Sequence, residues 1–363
     1  MFSRRFKPRD ISNGRRCLHS LRPTSPFKIL FLGRDEFSCL VLDELHKNRD
    51  IWQEILVATH SDQWVGRRGS QLSISPLKLR AQELGLEPQF LPSKPEFRHW
   101  LPPDSSPFIS NPLDPSNVII TASFGRLISN NLLHKFSPTR RLNVHPSLLP
   151  LYRGPAPIQR FIADGGDETG VCVVEMKEKR FAVDGGEIWG SRRVEVSPQS
   201  DFSSLQKSLG SLGGSLLVEV LRGMLHGTIP NATPQDDSKA TRAPFVTVDD
   251  VQIDFKTWDA QKIDRMSRAL AHQKPLIAIL PSGKALQLHA PKPVQNSRTE
   301  LPSSGSAKYD PSTRSLLIRC ANDSLVEVPF VKQQDRSFLA AKEWWNGVRR
   351  SWLTDGVLMF QQT

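Results

Sequence analysis

A chain of 363 residues with 38% hydrophobic residues, 8 Trp and 18 Phe is long enough for two ordinary domains with packed cores. No apolar run approaches the ~18–20 residues of a membrane span, and Cys17, Cys39, Cys172 and Cys320 fit neither a disulfide framework nor a metal-ligand spacing. Much of the net charge of +11 sits in residues 1–27, which hold seven Lys or Arg against one acid, Asp10, and this excludes a uniformly nucleic-acid-coating surface.

Residues 1–26 are Arg-rich, carry Ser and lack the apolar centre of a secretory signal. That composition predicts a mitochondrial transit peptide; a basic, RNA-binding arm is the other reading. Phe27 to Gly33 is a short apolar run ending at glycine, and Phe37 to Leu45 has apolar residues at helical spacing. With a second strand at Ile55 to Thr59, this opens a Rossmann-like, doubly wound α/β domain whose mostly parallel sheet carries its site at the strands' carboxyl ends. There is no G-x-G-x-x-G, so a dinucleotide is not expected.

The loop from His60 to Ser70 brackets Arg67 and Arg68 between glycines and holds Trp64. Paired arginines can grip phosphates while a tryptophan stacks on a base; a solvated loop is the plain alternative. Lys78 to Leu86 reads as a helix, Leu91 lies near a short strand, and 101–117 is a Pro/Ser-rich loop. Val118 to Thr121 is a buried strand, and Phe124, Gly125, Arg126, Leu127 and Ile128 follow its carboxyl end.

The stretch from Asn143 to Pro150, continued by Arg153 to Gln159, is the centre of the chain. Asn143 and His145 are two apart, so an extended segment turns both side chains to one face, and Pro146 and Pro150 end the strand there. The amide can donate to a developing oxyanion and the imidazole can give or take a proton near neutral pH. Beyond it, a helix begins at Ile158, Val171 to Val174 is a strand, and Asp184 precedes two glycines. Phe202 to His226 is an amphipathic helix in which Gly213 and Gly214 demand close packing, since each costs a free helix about 1 kcal/mol. Residues 229–245 have linker composition. The rest predicts strands at 251–255, 276–280, 284–289, 315–319 and 324–331, helices at 260–272 and 342–352, and a small OB-like barrel with Trp344 and Trp345 as packing residues.

The sequence from Asn143 to Gln159 resembles the 10-formyltetrahydrofolate-dependent formyltransferases, and its second half resembles those acting on methionyl-tRNA. The resemblance covers roughly 28–363 and is strongest over 118–190. It implies transfer of a formyl group from 10-formyltetrahydrofolate to the α-amine of methionyl-initiator-tRNA in the mitochondrial matrix. It also implies a catalytic set of Asn143, His145 and Asp184, with Glu187 as the fallback acid. The residues Lys179, Arg180 and Phe181 look like an insertion of mitochondrial members. A folate site is implied along Phe124 to Ile128 and Ser147, Leu148, Leu149 and Pro150, with tRNA contact at Trp64, Arg67 and Arg68. The expected division is a transit peptide at 1–26, a catalytic domain at 27–228, a linker at 229–245 and a tRNA-binding barrel at 246–363. No metal and no membrane are expected, and the chain is expected to be a monomer. A glycinamide ribonucleotide formyltransferase, a formyl hydrolase and a silent RNA-binding protein are the competing readings; the second domain, the arginine loop and Pro155 to Gln159 favour tRNA.

Overall fold

The computed structural model describes residues 23, 25–65, 69–178, 183–294 and 300–361. Arg67 and Arg68, the Lys179 to Phe181 insertion and nearly all of 1–26 lie outside them.

The first half begins with β1 (Phe27–Gly33), α1 (Glu36–Lys47) and β2 (Trp52–His60). Next come the hairpin strands β3 (Gln63–Val65) and β4 (Gln71–Ser73), α2 (Pro76–Glu83), β5 (Gln89–Leu91) and one-turn helices α3 (Lys94–Phe97) and α4 (Pro107–Ser110). They lead to β6 (Asn117–Ala122), α5 (Asn130–Leu133), β7 (Arg141–His145), α6 (Pro157–Asp164), β8 (Glu168–Glu175), β9 (Ile188–Glu195) and α7 (Phe202–His226). The sheet order is β5-β2-β1-β6-β7-β8-β9; the first five strands run parallel, and β8 and β9 add on antiparallel. The chain winds outward from β1 to β5 and then back through β6 to β7. The reversal between β1 and β6 opens a crevice beyond their carboxyl ends, where α/β sheets carry their ligands.

Strand alternation divides the side chains between two cores. Ile29, Phe31, Ile120, Leu142 and Val144 face α1 and α7. Leu30, Leu32 and Ile119 face Phe97, Phe108, Phe124 and Phe136. Phe108 comes from the expected Pro/Ser-rich loop, so that loop contributes a turn of helix and a core residue. Asp35 caps α1 by accepting from the Ser38 N–H, and Asp201 and Ser204 form a capping box on α7. At Gly213 a Cβ would lie 2.8 Å from Val144 Cγ1, so α7 sits hard against the strand that carries Asn143 and His145.

The second half holds α8 (Ala260–Leu270), β10 (Leu276–Ile279), β11 (Ala285–His289), β12 (Lys292–Val294), β13 (Ser306–Asp310), β14 (Ser315–Arg319), β15 (Leu325–Val328), β16 (Phe330–Gln333), β17 (Phe338–Ala340), α9 (Ala341–Asn346), β18 (Leu353–Thr354) and β19 (Val357–Met359). Its sheets, β10-β11-β16-β17 and β12-β15-β14-β13-β19-β18, are antiparallel throughout and form the small barrel-like unit.

Three expectations need correction here. Residues 251–255 are not a strand: Gln252 makes one isolated bridge to Ile277, and the Asp254 carboxylate then winds the chain by accepting from the Lys256 N–H and the Thr257 hydroxyl. The 324–331 run is two strands on different sheets, because Pro329 lies between them and has no N–H to continue a ladder. The last helix stops at Asn346, with Gly347 at its C-cap and a short 3-10 turn at Arg350–Trp352. Trp344 is buried, and its indole donates to Gln333 Oε1 at 3.1 Å, a packing role.

Arg160 on α6 fastens the halves together. Its guanidinium grips both oxygens of Asp250, at 2.5 and 2.8 Å, and donates to the carbonyls of Pro244 and Phe245. That pairing holds Asp250 down at about 2 from its ordinary 3.8. No helix among the described residues is long and apolar enough to cross a membrane.

Candidate active site

β7 is one residue position from its end at Val144, whose side chain enters the core under α7, so Asn143 and His145 must leave the opposite face. Asn143 is paired in register with Thr121 of β6, and the Thr121 hydroxyl donates to Asn143 Oδ1 at 2.8 Å. This fixes the amide's orientation, with Nδ2 toward the crevice. Nδ2 donates to Asp184 Oδ1 at 3.1 Å. An amide nitrogen has two hydrogens, so a second remains to meet a ligand.

His145 is 3% exposed, and its Nε2 lies 3.0 Å from the carbonyl oxygen of Tyr152. A carbonyl only accepts, so Nε2 carries the hydrogen and Nδ1 is left to face the crevice. Nδ1 is 3.6 Å from Asp184 Oδ2, and that same oxygen accepts the Gly154 N–H at 3.0 Å. Asp184 thus touches both members of the strand-end pair. Glu187 does not: its backbone carbonyl pairs with Glu175, and its charge adds to burial in raising the Glu175 carboxyl above its ordinary value.

The other residues named from sequence divide by exposure. Phe124 and Ile128 are buried in the second core, whereas Gly125 and Leu127 are open to solvent, Leu127 at 60%. Arg126 donates to the Pro92 carbonyl at 2.7 Å and lies over the Phe97 ring, and its buried Nε has no partner among the described residues. Next to it His60 packs on Phe124; burial first, then the charges of Arg126, Arg34 and Lys94, push the ring down to about 4, so it is neutral at pH 7. Ser147 is buried and donates to the Leu151 carbonyl, and Leu148 lies against Gly170. Leu149 packs on Cys172 and Val174, on the face of the sheet that holds the triad. Pro150 accepts from the Thr241 N–H. Trp64 stands on the β3–β4 hairpin, 68% exposed, opposite Leu72. The hairpin follows β2, so it rises at the sheet's carboxyl edge.

Sequence reasoning passed over Thr121, Gly154 and Gln235. Gly154 has φ +126°, and a Cβ there would stand 2.7 Å from the Ala243 carbonyl oxygen. Gln235 donates to the carbonyls of Asp184 and Gly186. Only Thr121 had a local signal, a hydroxyl closing an apolar strand. No group of three His, Cys, Asp or Glu among the described residues is placed to hold a metal.

Residues 27–221 match the formyl transferase model, and 246–349 match the model of the formyl transferase C-terminal domain. The chain belongs to the formyl transferase family. It is 30% identical to the mitochondrial methionyl-tRNA formyltransferase of Rattus norvegicus over 352 residues, 95% of this chain and 84% of the rat protein. It is 29% identical to the methionyl-tRNA formyltransferase of Enterococcus faecalis, over 88% of this chain and 96% of that one. HypX from Aquifex aeolicus, solved in complex with tetrahydrofolic acid, shares the fold with a TM-score of 0.55 at 18% identity. The match covers 88% of this chain and 47% of HypX, so this formyl transferase spans about half of HypX's length.

Proposed function

We propose that this formyl transferase moves the formyl group of 10-formyltetrahydrofolate onto the α-amine of methionyl-initiator-tRNA, in the mitochondrial matrix. The observation that carries this reading is the convergence of Asn143, His145 and Asp184 at the end of β7. The likeness to rat and bacterial methionyl-tRNA formyltransferases along most of both chains supports the acceptor. The fold shared with a tetrahydrofolate-bound protein supports the donor.

The neutral amine attacks the formyl carbon, forming a C–N bond as the carbonyl π electrons move to oxygen. The free Nδ2 hydrogen of Asn143 and the protonated Nδ1 of His145 donate to that oxyanion, stabilising charge that the ground state lacks. The amine nitrogen, now positive, loses a proton to Asp184, directly or through water. As the oxyanion reforms the carbonyl and the bond from the formyl carbon to N10 breaks, that proton passes from Asp184 to N10, which restores the carboxylate. The Tyr152 carbonyl keeps His145 oriented throughout, because it occupies the nitrogen that does not react.

The open backbone around Gly125 and Leu127, the Nε of Arg126 that has no partner among the described residues, and the wall made by Ser147 to Pro150 are suited to the folate. The Trp64 hairpin takes the tRNA, together with Arg67 and Arg68, which lie between its two strands in the sequence and outside the described residues. In this reading 1–26 is the transit peptide, 27–228 the catalytic domain, 229–245 the linker and 246–363 the tRNA-binding domain, and the chain acts as a monomer without a metal.

The test is formyl transfer by the purified chain with 10-formyltetrahydrofolate and methionyl-initiator-tRNA, with glycinamide ribonucleotide and His145→Ala as controls. Formylmethionyl-tRNA made by the wild type and lost in the variant is the expected result. Transfer to glycinamide ribonucleotide alone would replace the acceptor, and tRNA binding without any transfer would overturn the reading.

A further inference from the structure

Asp184 has φ +55°, a left-handed backbone that a non-glycine residue keeps only where its surroundings impose it. The restraint comes from the segment joining the two halves of the chain. Gln235 Nε2 donates to the Asp184 carbonyl and to the Gly186 carbonyl, each at 2.7 Å. The other end of the same amide is also fixed: Oε1 accepts from Arg153 Nε at 3.1 Å and from its Nη2 at 2.7 Å. Arg153 is buried at 7% exposed, and Asp237 takes its Nη2 at 2.7 Å. An amide with both hydrogens on carbonyls and its oxygen on a guanidinium has one orientation.

The neighbouring linker residues are stitched to the same site. Thr233 exchanges both backbone bonds with Ile188, just after the Asp184 turn. The Arg153 N–H donates to the Thr241 carbonyl, and the Ala243 N–H donates to the Arg153 carbonyl, one residue before the Gly154 N–H that holds Asp184. Thr241 Oγ1 accepts the N–H of Tyr152, the residue whose carbonyl orients His145. A connector that merely crossed the surface would need none of these contacts.

We propose that Gln235 is a positioning residue for formyl transfer: it sets the backbone of Asp184, so the linker forms part of the active-site framework. The proposal rests on the assignment of Asp184 to proton transfer. It carries a chemical consequence, because Gln235→Glu keeps the shape and the acceptors for Arg153 but offers no hydrogen to the two carbonyls.

The full chain with Gln235→Glu is compared with wild type and with Asp237→Asn, which removes the charge of the other Arg153 partner and leaves the Gln235 amide in place. The expected loss in kcat is about 100-fold, the scale of a misplacement near 1 Å, with KM for donor and tRNA held within about twofold. Asp237→Asn should stay within about threefold of wild type, as Asp237 itself is exposed and asparagine keeps an oxygen to accept from Arg153. Hydrogen exchange gives a readout independent of turnover. The Gly154 amide, which donates to Asp184, should exchange at least ~10-fold faster in Gln235→Glu while amides of β1 and β6 keep their protection. If the added charge unfolds the chain, Gln235→Leu reads the same two quantities. Wild-type kcat in the variant, unchanged Gly154 exchange, or faster exchange throughout the sheet would each overturn the proposal. Should the wild type formylate nothing, the proposed function falls, and Gly154 exchange still decides whether Gln235 places Asp184.

Discussion

The hydroxyl of Thr121 lies 2.8 Å from Oδ1 of Asn143, one strand away, and with the Asp184 carboxylate on Nδ2 it points the amide nitrogen into the crevice. Without the hydroxyl, only the bond to Asp184 holds that orientation, and a flipped amide would set its oxygen against an oxyanion. Thr121→Val keeps volume and β-branching at a buried position, so the fold should stand. The expected result is a kcat lowered by about 10-fold with KM little changed, since only the oriented donor is lost. Thr121→Ser, which restores the hydroxyl, should recover most of the rate. Equal loss in both variants would argue that packing, not the hydrogen bond, matters there.

Asn143 has a second duty, because its Nδ2 also donates to Asp184 Oδ1 at 3.1 Å. Asn143→Ala should lower kcat by roughly 10²–10³, the usual effect of removing one oxyanion donor. Asn143→Asp is the sharper probe. It turns a donor into an acceptor beside a carboxylate already present, so its rate should fall at least as far as that of the alanine variant. Single-turnover formyl transfer measures both. An aspartate variant faster than alanine would mean that Asn143 does not meet developing negative charge.

Much of this site was legible because its chemistry is local. The i, i+2 spacing of Asn143 and His145 places them on one face whatever else the chain does, and Pro146 ends the strand. The apolar runs of β1 and β6 and the periodicity of α7 marked the sheet and its cover for the same reason. The failures are contacts made at a distance or turns made by one side chain. Gln235 meets Asp184 across 51 residues of sequence, from a segment that composition describes only as a linker. Thr121 meets Asn143 across 22 residues, through a strand pairing that the pattern of either strand leaves open. The false strand at 251–255 had the right apolar alternation, but the Asp254 carboxylate satisfies the following N–H and hydroxyl and closes a turn instead.

The Arg160–Asp250 pair supplies a pH-dependent fastening between the halves. Asp250 is held at about 2 in the folded chain against its ordinary 3.8, with the Arg160 hydrogen bonds as the leading cause. A depressed carboxylate contributes its stability above the unfolded value and loses it as pH falls through the folded one. The contribution is therefore complete above about pH 5, roughly halved near pH 3 and gone below 2. Asp250→Asn should unfold at lower urea than wild type at pH 6, and the gap should narrow at pH 3. A gap of constant size would assign the effect to neutral hydrogen bonding alone.

Trp64 offers the cleanest separation of acceptor binding from chemistry. It is 68% exposed on a two-strand hairpin, and Asn143, His145 and Asp184, the proposed catalytic residues, lie on other elements, so truncation leaves them and the core intact. An aromatic platform for a base contributes about 1–3 kcal/mol per base stacked. Trp64→Ala should then raise KM for methionyl-tRNA by roughly 5- to 150-fold, with kcat and KM for the folate donor within about twofold of wild type. Trp64→Phe keeps a π face and should fall between. Because stacking releases no phosphate counterions, the variant should keep the wild type's slope of log KM for tRNA against log salt. A KM for tRNA unmoved by Trp64→Ala would make the hairpin a solvated loop and leave recognition of the acceptor to the second domain.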